Sequence, residues 1–497
     1  MSLRRYWYTL RYLKPVQFYG RAWHCLYHPN PKKLQAAPLR QIEHPWQACA
    51  RSPTMLAPNS FRFLNIEREI NDSADWNRPD WSKLWLYNLH YFDDLAADKS
   101  WMRESWHQRL IARWITENPP AKGNGWEPYP ISLRTVNWCK WLWQGQEPVP
   151  GMLESLAVQA DLLSRKPEYH LLGNHLWANF KALIFCGVLF KGSRADKWLS
   201  FGLDGFREQL DEQILPDGGH FERSPMYHAT LLEDILDLVQ LASLLPERFP
   251  AQDVALWRER TEDMLNWLAV MSHPDGRISF FNDAAFGIAP ELSALTDYAR
   301  RLGIIQVPER PRTGVIDLAN SGYCRLSNGD AVLLIDRAPV GPDYLPGHAH
   351  ADTLSFELSV FGQRVIVNGG TSRYGLGLER LRERQTVSHS TVEVDGQSSS
   401  EVWGGFRVAR RAYPFDLTVS ERPEVLSVAC SHDGYKRLQG KPVHRRSWQL
   451  SPNHMEVADS VSGGGLPAVA RFILHPDVGV ERVGPDLFHL MLANGKL

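Results

Sequence analysis

The hydrophobic period of this chain changes once, near residue 315, and that change confines it to folds with a helical part followed by a sheet part. From about residue 80 to 310, apolar residues recur at three- and four-residue intervals, as in Leu231, Leu232, Ile235, Leu236, Val239 and Leu244. The stretches 151–165, 176–190 and 252–271 behave likewise, and clusters such as EPVPG and PDGG separate them. These signals predict successive helical hairpins without a fixed repeat length. Beyond about 315 the period is two: SGYCRL, AVLLID, TLSFELSV, RVIVNGG, STVEVDG and FDLTVS read as short strands of a stacked-sheet or sandwich domain. The expected class is therefore α+β and multidomain. The expected divisions are an N-terminal extension at 1–75, a helical domain at 76–312 and a sheet domain at 313–497, with the boundary within 300–316.

A chain of 497 residues has ample material for more than one core. Its formal net charge of −1 gives no global field for nucleic acid or membrane, so an acidic partner must be met by local clusters. Six scattered cysteines without a CxxC pair form neither a disulfide framework nor a cysteine zinc site. No run reaches transmembrane length, and the start lacks an apolar signal core, so the sequence reads as unexported and cytoplasmic. The basic, aromatic opening, MSLRRYWYTLRYLKPVQFYGRAWHCLYH, is a candidate to touch a membrane surface or a partner, although its helical amphipathicity is irregular. Many of the 19 tryptophans lie between Trp76 and Trp143. Such density is usually core, and it is also what a carbohydrate cleft needs for packing sugar faces on rings.

The stretch richest in chemistry is GHAHADTLSFELSVFGQRVIVNGGT, from Gly347 to Thr371. Leu354, Phe356, Leu358 and Val360 alternate with Ser355, Glu357 and Ser359, the pattern of a half-buried strand. Phe361, Gly362 and Gln363 read as a hairpin turn before Val365 and Val367. If the strand already holds at His348, parity puts His348, His350 and Asp352 on the apolar side, where such groups are costly unless paired or ligated. His389, in RQTVSHSTV, is a third histidine, and with His350 and an oxygen ligand it could complete a metal site with an open position. Separate core or surface histidines are the plainer alternative.

Three stretches of the helical part also stand out. Asn174 and His175 precede an apolar helix, where Asn is commonly an N-cap or turn residue. In GGHFERSPMYH, Ser224 and Pro225 suit a cap and first helical position, but that does not explain Tyr227 and two histidines gathered there. The turn-rich PDGRISFFND carries Asn282 and Asp283.

In order, NLHYFDDL, GNGWEPYPISLRTVNW, GNHLWANF, GGHFERSPMYH, PDGRISFFND, GHAHADTLSFEL, NGGTSRYG and SHSTVEVDG resemble the heparinase II/III-like polysaccharide lyases, a group that includes alginate lyases. The resemblance covers about residues 80–400. It implies an N-terminal incomplete (α/α) toroid, a C-terminal antiparallel β-sandwich, and β-elimination at a uronic acid of an acidic polysaccharide. The subset with NLHYFDDL resembles proteins that accompany exopolysaccharide synthesis. By position, the resemblance gives Asn174, aided by His175, the substrate carboxylate, and gives Tyr227 and His348 the proton transfers. Tyr374 lies near a second tyrosine used in some relatives. These side chains are expected to converge around one sugar-sized space.

The same resemblance makes His350 and His389 ligands of a structural zinc, with Asn368 where relatives carry an acidic ligand. Degradative relatives act outside the cytoplasm, which would make the compartment periplasmic. Two other readings stay open: a non-catalytic glycan-binding or assembly protein, and a glycoside hydrolase using a carboxylate pair such as Glu222 and Asp283.

Overall fold

The computed structural model describes residues 3–304 and 311–495. Part of the expected boundary, 305–310, lies outside the described residues. The chain folds as two compact units, one of residues 1–13, 213–232 and 259–497, the other of 14–212 and 233–258. This partition differs from the divisions at 75 and 312, because long helices are shared between the units. Helices and antiparallel sheets coexist, so the chain is α+β.

In the second unit the helix Pro128–Trp143 packs against Lys83–Tyr91, Met152–Arg165 and Gly173–Leu189. Pro128 opens its helix at a position whose N–H would have no intrahelical partner anyway. The tryptophans expected as core or cleft are mostly core: Trp76, Trp85, Trp114, Trp138 and Trp141 are fully buried. His90 of NLHYFDDL is locked among them, its Nδ1 accepting from Trp114 Nε1 and its Nε2 donating to the Trp76 carbonyl, both at 3.0 Å. Arg134 of SLRTVNW is fully buried with its guanidinium carbon 3.8 Å above the Trp114 ring. It donates to Gln159 and to the carbonyls of His90 and Gly125, so each guanidinium nitrogen that burial strips of water keeps a partner. Two of the sequence motifs are thus interlocks of the helical core. A small sheet of Met55–Ala57, Ser60–Phe63 and Ile66–Glu69 precedes the helices.

In the first unit, Gly314–Leu318, Tyr323–Asn328, Ala331–Asp336, Phe356–Val360 and Gln363–Ile366 form a five-stranded antiparallel sheet in chain order. Pro414–Glu421, Leu426–His432, Val443–Ser451 and His454–Ser462 form a four-stranded one. Leu326, Ile335 and Phe356 of the first share a core with Val428, Trp448 and Leu450 of the second. Phe361 and Gly362 both have positive φ, as a tight two-residue hairpin requires.

Two expectations for the histidine stretch are corrected. The strand begins at Phe356, not at His348, because Leu354 takes a φ of 65° and the Ser355 N–H turns back to the Asp352 carbonyl. Parity therefore does not place His348, His350 and Asp352. The strand is also buried on both faces. Glu357 accepts from His273 Nε2 at 2.7 Å and from the N–H groups of Phe280 and Asn368, and Ser359 bonds His273 Nδ1. The polar row is an inner layer, not a solvent face.

Candidate active site

Four separate segments of the first unit build this site, and the carboxylate of Asp283 joins them. Asp283 is fully buried. Its Oδ2 accepts from His348 Nδ1 and from Arg380 Nη2, each at 2.7 Å. Its Oδ1 accepts from Thr371 Oγ1 at 2.7 Å, His350 Nε2 at 2.8 Å and Arg380 Nη1. Burial alone would raise its pKa, but the Arg380 guanidinium and the two imidazole bonds outweigh it and hold the carboxyl well below its usual range. A carboxylate can only accept, so the bond to His348 requires the proton on Nδ1 and leaves the neutral ring a lone pair at Nε2. The side chain of His348 keeps 16% exposure.

Tyr227 lies on that imidazole, with ring centroids 4.1 Å apart at 36°. Its position follows from local sequence. Ser224 Oγ accepts the Tyr227 N–H at 3.2 Å, an N-cap of the helix Pro225–Leu244, and donates to the Asp283 carbonyl. Tyr374 Oη lies 2.9 Å from Tyr227 Oη, and its ring is edge-on to His348 at 6.0 Å. Burial, and then the charge of Asp283, raise the Tyr374 pKa well above that of a free phenol, so it stays protonated. Tyr227, His348 and Tyr374 are therefore one contact group. The two histidines flanking Tyr227 belong elsewhere: His220 binds Gln213, and His228 stacks on Trp267 at 4.3 Å while bonding the Met264 carbonyl.

Deeper in the same unit, His350, His389 and Asn368 are neighbours. The imidazoles of His350 and His389 are 5.2 Å apart, and Asn368 Oδ1 lies 3.1 Å from His389 Nδ1. With one nitrogen of each ring occupied, by Asp283 or Asn368, the remaining ones, His350 Nδ1 and His389 Nε2, are buried and meet no hydrogen-bond partner among the described residues. Burial, and next the neighbouring His350, push the His389 pKa well down, so the His389 ring is held neutral with Nε2 as its ligating nitrogen. Among the described residues no group of three or more His, Cys, Asp or Glu side chains is arranged to hold a metal ion.

Asn174 and His175 belong to the other unit, in the first turn of Gly173–Leu189. The helix is preceded by Leu172 at a φ of 63°, and no side chain caps it, so Asn174 is not an N-cap. His175 stacks on Tyr129 at 4.4 Å and bonds Glu168 at 3.2 Å. Burial opposes the charge on Glu168, but His175 and Asn179 more than offset it and lower its pKa.

A model of the heparinase II/III N-terminus matches residues 83–300, and one described as heparinase II/III-like, C-terminal, matches 310–495. The chain belongs to the heparinase II/III-like family. A heparin-sulfate lyase of Pedobacter heparinus is 25% identical over 269 residues, which is 50% of this chain and 39% of that protein. The FtsZ-localized protein C of Caulobacter vibrioides is 26% identical over 317 residues, 59% of this chain and 51% of that one. The chain thus spans about half or less of these relatives. The crystal structure of heparinase III superposes with a TM-score of 0.64 at 20% identity, covering 81% of this chain and 68% of that one.

For this heparinase II/III-like chain, sequence reasoning passed over Asp283, Arg380 and Thr371 as a functional set. Asp283 was visible as a turn residue in PDGRISFFND and as half of a carboxylate pair with Glu222, and Arg380 only as one of several arginines in LERLRER. The Asp283 contacts also weaken the hydrolase reading. Its carboxylate is sealed between a guanidinium and two imidazoles, with no face left to meet a glycosidic bond.

Proposed function

We propose that this protein is a polysaccharide lyase that cleaves a uronic-acid-containing glycan by β-elimination, in exopolysaccharide metabolism. The observation that carries the reading is His348, tautomerically fixed by Asp283 and in ring contact with Tyr227. The C5 proton of a uronate is poorly acidic beside a charged carboxylate. Asn174, with His175, takes that carboxylate and favours the enolate-like transition state. His348 and Tyr227 divide removal of the C5 proton and protonation of the departing O4, the division following the stereochemistry at C5. Tyr374, held protonated, can donate to the Tyr227 oxygen as that phenol ionises and so ease its ionisation. The helical part is in this reading an incomplete (α/α) toroid. His350 and His389, with Asn368, would hold a structural zinc that braces the loops carrying His348.

The curated relative FtsZ-localized protein C supports a second reading, a glycan-binding or assembly protein that retains the fold. A panel of acidic polysaccharides separates the readings. Elimination yields products with an unsaturated uronate chromophore and no added water. Products that gain one water without the chromophore select hydrolysis. Saturable binding without any product selects the assembly role.

A further inference from the structure

The helix Leu3–Leu10 packs with its faces reversed. A helix on a globular surface normally buries its apolar stripe and exposes its polar one. Here the side turned to the protein is polar and aromatic. Tyr6 meets Trp403 edge-on at 4.9 Å, Thr9 Oγ1 accepts from Trp403 Nε1 at 3.1 Å, and the Arg410 guanidinium lies 5.6 Å from the Tyr8 ring. Just beyond the helix, Arg411 sits 4.0 Å over Tyr12. Leu3, Trp7 and Leu10, spaced four and three apart and so aligned on one face, are instead 87%, 67% and 42% exposed. Arg4 and Arg11 are exposed on the flank of that stripe, and the first acidic residue of the chain is Glu43. The segment precedes both matched family regions, which start at 83 and 310, so the family chemistry does not account for it.

We infer that this helix docks the protein on an anionic lipid surface. Leu3, Trp7 and Leu10 enter the boundary between headgroups and acyl chains, and Arg4 and Arg11 meet the lipid phosphates. Apolar insertion together with positive charge is the combination such a surface selects. A second protein copy would explain the apolar stripe without the charge, and an acidic glycan the charge without the stripe. The irregular pattern seen from sequence arises because Tyr6 and Tyr8 interrupt the stripe while serving the inner contacts.

The test is co-sedimentation of the full chain with vesicles of phosphatidylglycerol and phosphatidylcholine, beside vesicles of phosphatidylcholine alone. We expect binding to the anionic vesicles, at least about tenfold weaker binding to the neutral ones, and a loss of similar size in Leu3→Glu/Leu10→Glu and in Arg4→Glu/Arg11→Glu. Binding should also weaken as salt shortens the screening length. All four positions are exposed, so the melting temperature should not move and loss of folding is separable. Absence of vesicle binding would overturn the inference. So would equal binding to both vesicle types, or variants that bind like the parent. Loss of self-association, or of retention on an acidic polysaccharide, in the same variants without vesicle binding would replace it.

Discussion

Tyr227 Oη and Tyr374 Oη lie 2.9 Å apart across 147 residues of sequence. The first comes from a helix N-terminus and the second from the loop after Gly369-Gly370, and both rings meet His348. Tyr374 is held protonated, so in a state where Tyr227 gives up its proton Tyr374 can donate to the resulting phenolate. Tyr227→Phe should lower kcat by about 10²–10⁴-fold with little change in KM. Tyr374→Phe should cost less and should raise the pH at which the Tyr227-dependent limb of the rate profile appears. Steady-state kinetics of the unsaturated product across pH checks both. Full activity in Tyr227→Phe would move the proton transfer to another group.

Asp283→Asn tests the carboxylate that orients His348. An amide can present its NH₂ to His348 Nδ1 and so favour the wrong tautomer, so kcat should fall by about 10²-fold or more. Stability should fall too, because Arg380 would be left buried without its counter-charge, a loss of roughly 3–5 kcal/mol. The double variant Asp283→Asn/Arg380→Met should regain part of that stability and none of the activity. Urea unfolding beside turnover separates the two effects. Parental values for both in the single variant would remove Asp283 from the site.

The periodic helices and the sheet domain were legible because each rests on local patterning: 252–271 emerges as Ala251–Val270, and AVLLID as Ala331–Asp336. What was not legible depends on partners distant in sequence. Parity failed for His348 because Leu354 adopts a left-handed φ that no alternation reveals. Asp283 gained its place only through bonds to residues 65 and 97 positions away. The tryptophan cluster could not be divided between core and cleft from composition alone, since both uses favour the same rings. Burial decided most of it as core.

Acid should loosen both units through histidines that burial holds neutral. His90, in one unit, has its pKa pushed down to about 3 by burial and then by Arg134; His228, in the other, is pushed down to about 4 by burial. The unfolded chain takes up a proton at each near pH 6.5, whereas the folded one does so only near those lower values. Each group therefore gives full stability above about pH 6.5 and loses roughly 1.4 kcal/mol per pH unit below it, about 3 kcal/mol each by pH 4. The depressed pKa of Asp283 acts only below about pH 3.9, so it does not contribute in this window. Urea midpoints from pH 7 to 4 should fall steadily, and His90→Gln should flatten the slope for its unit. A flat profile in the parent would show that these rings are not held neutral.

Zinc retention should rise in Asn368→Asp. His350 Nε2 and His389 Nδ1 are already fixed by Asp283 and Asn368, and this leaves the buried nitrogens His350 Nδ1 and His389 Nε2 as donors. That resembles the outer-shell arrangement in which a carboxylate behind each histidine orients the ring and raises its basicity. Here one histidine has such a carboxylate and the other only a neutral amide. Whether Asp at 368 acts from behind His389 or binds the ion directly, it adds the missing negative charge, and either role should tighten zinc by about 10–100-fold. Elimination needs no attacking water, so the gain should appear in metal content and melting temperature rather than in turnover. Metal analysis of both proteins after titrated chelation, with thermal melts alongside, reads this directly. Equal zinc content and equal stability in the two would remove charge as the deficit of this site, and zinc that survives His350→Ala/His389→Ala would place the ion elsewhere.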